Sequence, residues 1–548
     1  MGLSRRTVLT ALGTVPLAAP LLTALGQEAA SAAGPPGDVV GKITVGYQGW
    51  FACAGDGAPI NGWWHWSQNW GQAPSPSNNA IKAWPDMREY ARTYATAYPN
   101  LNGGGAATLF SSYDQSTVDL HFLWMQQYGI DTAALQRFNP NSSEGATRDA
   151  MAQKVRAAAE SHGRRFYVMY DVSGWANMQP EIKTDWTNKM AAHTASGAYA
   201  RQNGKPVVCI WGFGFNDANH PWSAAACLDV VNWFKAQGCY VIGGVPREWR
   251  TGTGGSRAGY ADVYHAFNML SPWMVGAISD AAGSDSVYQN ITVPDQADCN
   301  AHGIDYQPCV LPGDVSARQR KHGDFMWRQF YNMVRAGCQG VYISMFDEYG
   351  EGNQIAKTAE NAAGVPAGSG LLALDEDGTA CSSDYYLRLT GDGGRMLKGQ
   401  IALTATRPTP PVAGTSPTTV VSLRSRANNL YVTAENAGAA ALIANRAAIG
   451  AWEQFDLLDA GGGNVALRAH ANNLIVTAEN AGASPLIANR TTVGGWETFQ
   501  LVRNSNGTVS LKALANNLYV CADNTGASPL IANRAAIGGW EQFDLIGA

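Results

Sequence analysis

The sequence predicts a (β/α)8 barrel followed by an all-β trefoil, and three observations predict it. Between residues 33 and 403, eight apolar runs of strand length alternate with helix-like segments. Between residues 420 and 548, one 44-residue unit occurs three times. A Pro/Thr-rich stretch, residues 404–419, lies between them and reads as a semi-extended linker. The 548 residues leave room for this division, because single domains usually run to about 100–200 residues.

Residues 1–32 read as an address rather than as part of the fold. Ser4-Arg5-Arg6-Thr7-Val8-Leu9 sets twin arginines ahead of an apolar run, and Ala30-Ser31-Ala32 follows as a small-residue cleavage site. This pattern predicts a twin-arginine secretory signal and a mature chain that begins near Ala33, outside the cytoplasm. The competing reading is a membrane anchor, against which Pro16 and Pro20 interrupt the run.

The eight apolar runs are 43–48, 133–138, 166–171, 207–211, 240–244, 273–278, 307–311 and 341–346. Segments 147–160, 183–198, 223–235 and 317–335 between them are rich in Ala, Arg, Gln and Met, as helices are. Alternating strands and helices build a parallel sheet, and eight repeats close it into a barrel. An open doubly wound sheet is the alternative. Against it, Gly212-Phe213-Gly214 lacks the third glycine of a dinucleotide-binding turn.

The C-terminal repeat is visible in Ala427-Asn428-Asn429-Leu430, Ala471-Asn472-Asn473-Leu474 and Ala515-Asn516-Asn517-Leu518. Trp452, Trp496 and Trp540 follow at the same 44-residue step, in Trp-Glu-x-Phe contexts, and are expected in a shared core. Short β-branched or aromatic runs separated by Asn-Asn and Ala-Gly turns are hairpin chemistry. Ankyrin and tetratricopeptide repeats are shorter and helical. Tyr431 and Tyr519, with Asn436, Asn480 and Asn524, are the candidate ligand contacts there, because strand ends and turns are surface features.

In a barrel, chemistry sits beyond the C-terminal ends of the strands. Those positions offer Tyr47, Trp50, His65, Gln136, Arg137, Tyr170, Asp171, Trp211, Glu248 and Trp249 as candidate substrate contacts. For each, packing within the scaffold is the competing role. The 18 tryptophans in a chain with 15% charged residues suit flat apolar sugar faces. At the end of the eighth run, Asp347, Glu348 and Glu351 place three carboxylates within five residues. Their mutual repulsion raises the pKa of at least one, which suits an acid/base pair. Gly350 and Gly352 permit the tight turn that brings both glutamates to one cavity. A solvated acidic loop is the alternative.

Ile343-Ser344-Met345-Phe346-Asp347-Glu348-Tyr349-Gly350-Glu351-Gly352-Asn353-Gln354-Ile355 resembles the last-strand motif of glycoside hydrolase family 99, the retaining endo-α-mannosidases. Val310-Leu311-Pro312-Gly313 and Asp384-Tyr385-Tyr386-Leu387-Arg388-Leu389 are similar to further pieces of that family. The resemblance implies a (β/α)8 barrel in which Glu348 takes the proton of the sugar 2-hydroxyl. That oxygen attacks the anomeric carbon and forms a 1,2-anhydro sugar. Glu351 is implied as the general acid that then activates water. Asp347 stands where the family has Asn, Tyr349 where it has Trp, Asn353 where it has Thr, and Ala356 where it has Glu. Asp347 and Tyr349 are therefore carried as candidate subsite residues. The α-1,3-glucanases of glycoside hydrolase family 71 are a sister resemblance. The C-terminal repeats resemble the fascin-like and ricin-like trefoils attached to secreted carbohydrate enzymes.

These readings predict a secreted, monomeric retaining glycosidase on a polysaccharide, α-mannan-like by preference, with the trefoil binding carbohydrate. A non-catalytic lectin-like protein is the competing class, and an actin-bundling role follows only from the fascin resemblance. No cofactor, no metal and no membrane contact after signal cleavage are expected. The net charge of −5 argues against nucleic acid. The nine cysteines contain no C-x-x-C, and no His pair has metal-ligand spacing. Cys299 and Cys309 are a candidate bridge, and Cys209 and Cys239 are expected as buried thiols. The sequence holds no G-x-S-x-G and no H-E-x-x-H.

Overall fold

The computed structural model describes residues 35–413, 419–461, 464–504 and 506–547. The twin-arginine segment and residues 414–418 of the linker lie outside them.

Strands β1 (Ile43–Tyr47), β2 (Thr132–Arg137), β3 (Arg165–Asp171), β4 (Lys205–Trp211), β5 (Tyr240–Val245) and β6 (Met269–Pro272) pair in parallel, each with the next. The seventh stave is split. Its first half, β7 (Asp305–Tyr306), pairs with β6, and its second half, β8 (Cys309–Val310), pairs with β9 (Val341–Ile343). Pro308, between the halves, has no N–H to give the ladder. β9 pairs with β1 and closes the ring. This is the eight-staved barrel that the alternating runs predict.

The outer layer comprises α1 (Gln115–Gln127), α2 (Gly145–His162), α3 (Met178–Asp185), α4 (Ala224–Ala236), α5 (Ala261–Ala266), α6 (Ala281–Val287), α7 (Val293–His302), α8 (Asp324–Arg335) and α9 (Tyr385–Leu397). The strands are buried on both faces, as a covered parallel sheet requires. Inside, Tyr342 fills the lumen against the Met169 and Met345 sulfurs. A Cβ on Gly46 would lie 2.2 Å from the Tyr342 hydroxyl oxygen, so β1 needs glycine there.

One predicted strand is misplaced. The sixth run, 273–278, is a loop, and the strand is Met269–Pro272 just before it. The apolar run continues past the strand because Trp273 and Met274 pack on the rim side, and Gly276 turns the chain at φ +77°. The Cys299–Cys309 bridge is also corrected: all nine cysteines are buried free thiols. Among the described residues, no helix is long and apolar enough to cross a membrane.

The described residues of the C-terminal region form twelve strands: β10 (Thr419–Ser425), β11 (Tyr431–Ala434), β12 (Leu442–Arg446), β13 (Phe455–Gly461), β14 (Asn464–Ala469), β15 (Ile475–Ala478), β16 (Leu486–Arg490), β17 (Phe499–Arg503), β18 (Val509–Ala513), β19 (Leu518–Cys521), β20 (Ile531–Arg534) and β21 (Phe543–Gly547). The antiparallel pairings β10–β13–β14–β17–β18–β21–β10 close a six-stranded barrel. The hairpins β11/β12, β15/β16 and β19/β20 complete one trefoil unit each.

The repeated Asn and Gly explain themselves here. Asn428, Asn472 and Asn516 each donate a side-chain N–H to a carbonyl of their own hairpin, at 2.7–2.8 Å. The same amides pack on Gly526, Gly438 and Gly482 of another unit, where a Cβ would sit within 2.3 Å of them. Those glycines end left-handed turns at φ +81° to +83°.

The expected Trp core is corrected as well. Trp452, Trp496 and Trp540 are 38%, 40% and 37% exposed, and Phe455, Phe499 and Phe543 fill the centre. The Glu of each Trp-Glu-x-Phe is the buried member: Glu453, Glu497 and Glu541 accept the backbone N–H of Gly450, Gly494 and Gly538.

Candidate active site

The C-terminal ends of β1, β2 and β9 meet at one point of the rim. Beyond β9 the chain continues irregularly, with Phe346 N–H donating to Gly46 O at 2.8 Å. It then folds back on itself: Asn353 N–H reaches Glu348 O, and Met345 N–H reaches Asn353 O. The buried Arg320 braces this loop by donating to the carbonyls of Gly352, Gln354 and Gly313, and its guanidinium lies over the Tyr386 ring. Gly352 adopts φ +74°, as the turn requires. Gly350 serves differently, because a Cβ there would stand 2.9 Å from a Glu348 carboxylate oxygen.

Glu348 is 4% exposed. Its carboxylate accepts the Gln48 side-chain amide and, at 3.2 Å, the Glu351 backbone N–H. Burial pushes its pKa up to about 8, and the charges of Glu351 and Asp347 push the same way. Glu351 itself is exposed to solvent. The pair is therefore one buried, proton-holding carboxyl beside one open carboxyl.

Asp347 is fully buried and holds the first loop: its two oxygens accept the backbone N–H groups of Gln48 and Gly49 at 2.8 and 2.7 Å. Burial raises it to about 6 against the pull of those amides and of Arg148. Arg148, buried on α2, donates to the carbonyls of Gln48, Gly49 and Gln136, tying the β1 and β2 ends together.

Beside these carboxyls stands an aromatic wall. His65 stacks on Trp50 with ring centroids 3.6 Å apart, and Phe138 stacks on the Trp50 ring at 5.6 Å. His65 is held at φ +60°. Burial, helped by the Arg148 charge, lowers its pKa to about 3, so the imidazole is neutral. Further round the rim, Trp211 meets Trp273 edge to face at 5.3 Å, in space that Gly244 leaves open. Asp171 lies below Ser173, whose backbone N–H it accepts, and burial raises its pKa. Glu248 is paired with Arg247. Among the described residues, Gln48 Oε1, Gln136 Oε1, Trp50 Nε1, His65 Nε2 and Trp211 Nε1 are buried polar atoms with no hydrogen-bond partner. Such atoms are open to a polar ligand.

Several expected contacts do not face this cleft. Tyr47 is buried with its hydroxyl on His121 of α1. Arg137 is buried and spans to Asp185 and Asp149, and the Tyr170 hydroxyl also reaches Asp185. Trp249 donates to Asp295 on α7. Tyr349 is buried among Phe51, Trp66 and Phe110 and donates to Lys357 O. Asp347 anchors the loop as described. These six residues hold the scaffold. In the trefoil, Asn436, Asn480 and Asn524 form exposed left-handed turns, and Tyr431 and Tyr519 are half-buried on hairpin strands.

Gln48, Arg148 and Phe138 belong to the site and were not singled out from sequence. Gln48 and Phe138 directly follow strand ends, which is the signal that would have found them. Arg148 shows no such signal, because it reaches the rim from a helix.

Ser173, His220 and Asp217 line up at 3.0 and 2.7 Å, like a nucleophile–base–acid relay. Two observations deny it an oxyanion site. Ser173 N–H is bound by Asp171, and Gly174 N–H by Asn219 O at 2.9 Å.

A family described as a domain of unknown function, DUF7910, matches residues 417–507. No curated protein matches the chain. Among solved structures, the chain is similar to the glycoside hydrolase family 99 endo-α-mannosidase of Bacteroides thetaiotaomicron, at 14% identity, covering 66% of this chain and 98% of that one, with a TM-score of 0.49. It is also similar to ThreeFoil, a designed threefold-symmetric protein, at 23% identity, covering 24% of this chain and 99% of that one, TM-score 0.22. The BEL β-trefoil is a third, at 14% identity, covering 26% and 98%, TM-score 0.22.

Proposed function

We propose that this chain is a secreted retaining glycosidase that cleaves an α-mannan-like polysaccharide, with the trefoil holding it to the polymer. The observation that carries the reading is the Glu348/Glu351 pair: a buried carboxyl raised to about 8 next to an open one, on a barrel rim walled by stacked aromatics. The aromatic faces and the unpartnered amide and ring atoms beside the pair suit sugar faces and hydroxyls. The similarity of 343–355 to the family 99 motif supports the assignment of roles.

The reactive form carries the pair's one proton on Glu351, and in the first step ionised Glu348 takes the proton of the substrate 2-hydroxyl as that oxygen bonds to the anomeric carbon. The glycosidic bond breaks, and the leaving oxygen takes the proton of Glu351. In the second step, Glu351 draws a proton from water, which adds to the anomeric carbon. The C–O2 bond opens, and O2 recovers a proton from Glu348. Two inversions give net retention. The 2-hydroxyl must lie trans to the leaving group, as in α-mannosides.

A raised pKa serves Glu348 in this role, because proton transfer to a carboxylate grows more favourable as its basicity rises. The Gln48 amide and the Glu351 N–H fix which way the carboxylate faces. Glu351→Gln is expected to lower hydrolysis of α-mannan by about 10³-fold or more, while calorimetry still detects oligosaccharide binding. Activity within tenfold of the parent would refute the acid assignment.

A further inference from the structure

We infer that His265, Asp298 and His302 form a zinc-binding site on the face of the barrel opposite the catalytic rim. His265 lies near the C-terminal end of α5, just before β6 begins, and His302 ends α7, just before β7. Helix ends that lead into strand starts lie at the N-terminal face of a barrel, where residues serve stability rather than chemistry.

Asp298 and His302 are one turn apart on α7 and share a face. His265 supplies the third group from the neighbouring βα unit. Its Nε2 lies 2.9 Å from Asp298 Oδ1, and His302 Nδ1 lies 3.2 Å from the same oxygen. All three ligand atoms fall within 4.8 Å of one another. The two imidazoles are stacked with centroids 3.6 Å apart and planes inclined by 16°, so one ring must swing out of the stack for both in-plane lone pairs to meet on one ion. Ligands bound to tetrahedral zinc at 2.0–2.2 Å stand about 3.3 Å from each other. Both imidazole nitrogens already stand near that distance from Asp298 Oδ1, and rotation of one imidazole about its Cβ–Cγ bond brings the third pair together.

The surroundings suit a cation. The side chains are 27%, 25% and 42% exposed, which leaves an entry path and a fourth position for water. The Trp249 indole stands edge-on to His265 and backs the ring. The adjacent Lys235 ammonium is engaged by Ala266 O. On metal binding, His302 Nδ1 exchanges its 2.9 Å contact with the Asp298 carbonyl for the ion. The ion would clip α5 to α7 and so pin consecutive units of the barrel wall. Sequence spacing hides the set, because its two histidines are far apart in the chain.

The test is thermal unfolding of the full-length mature chain, dialysed against EDTA and then titrated with zinc chloride. Zinc is expected to raise Tm by about 3 °C at saturation, with one zinc bound per chain by metal analysis. His265→Ala and His302→Ala should each lose the shift and the bound zinc while unfolding near the parental Tm in EDTA. Asp298→Asn, which keeps the packing, gives the same comparison if either alanine variant fails to fold. The inference is overturned if zinc leaves Tm unchanged in the parent, or shifts the parent and these variants equally.

Discussion

Glu348 stands with Asp347 on one side and Glu351 on the other, and its burial has a price in stability that depends on pH. An unfolded glutamate ionises near 4.5, whereas the folded one holds its proton to about 8. Below pH 4.5 both states are protonated and nothing is lost. Between those values the unfolded state releases its proton and the folded state does not, so stability falls as pH rises, and above 8 the loss is complete. Glu348→Gln, always neutral, escapes this slope. Its stability relative to the parent should rise by on the order of 4 kcal/mol from pH 4.5 to pH 9, read by urea unfolding at both values. A difference that does not change with pH would contradict the buried, proton-holding state.

At this scale the sequence identified the residues near strand ends but not which way they face. Successive strand residues point to opposite sides. Gly46 and Gln48 therefore face the lumen, and Tyr47 faces α1; Gln136 faces the rim, and Arg137 faces α3. One residue of register separates a ligand contact from a scaffold residue. The interior Tyr342, which sets the parity, is not recognisable without the closed barrel.

The elements were legible wherever an apolar run coincided with a strand. β1 to β5 fall within two residues of their runs, whereas β6 was displaced by the rim residues Trp273 and Met274. Pro308 hid the split in the seventh stave. The trefoil repeat was plain, yet the Trp of Trp-Glu-x-Phe, expected in the core, is exposed, and the Phe fills the centre. In a 3-10 turn that precedes a barrel strand, the residue entering the strand takes the core, and Glu caps the turn from below. Phe455→Ala should therefore cost about 3–5 kcal/mol, while Trp452→Ala should change stability by no more than about 0.5 kcal/mol, both by denaturant unfolding. Equal costs would return the tryptophan to the core.

For the whole molecule, a barrel rim that carries Glu348 and Glu351 at the meeting of three strand ends is joined in one chain to a threefold module with exposed aromatics. Under the proposed function, such tethering would raise the local concentration of the rim at a polymer without altering it. The loop geometry around Glu348 and Glu351 arises from contacts distant in sequence: Asp347 to the β1 loop, Arg320 to the β9 loop, and Arg148 across β1 and β2. Local patterns cannot display such contacts, so the acids were visible in the sequence and their division into buried and open was not.

The most direct measurement is proton NMR of α-mannan incubated with the parent protein and with Glu348→Gln. New reducing ends are expected from the parent, first as the α-anomer, and none from Glu348→Gln. A β-anomer appearing first, or undiminished hydrolysis by Glu348→Gln, would contradict the proposal.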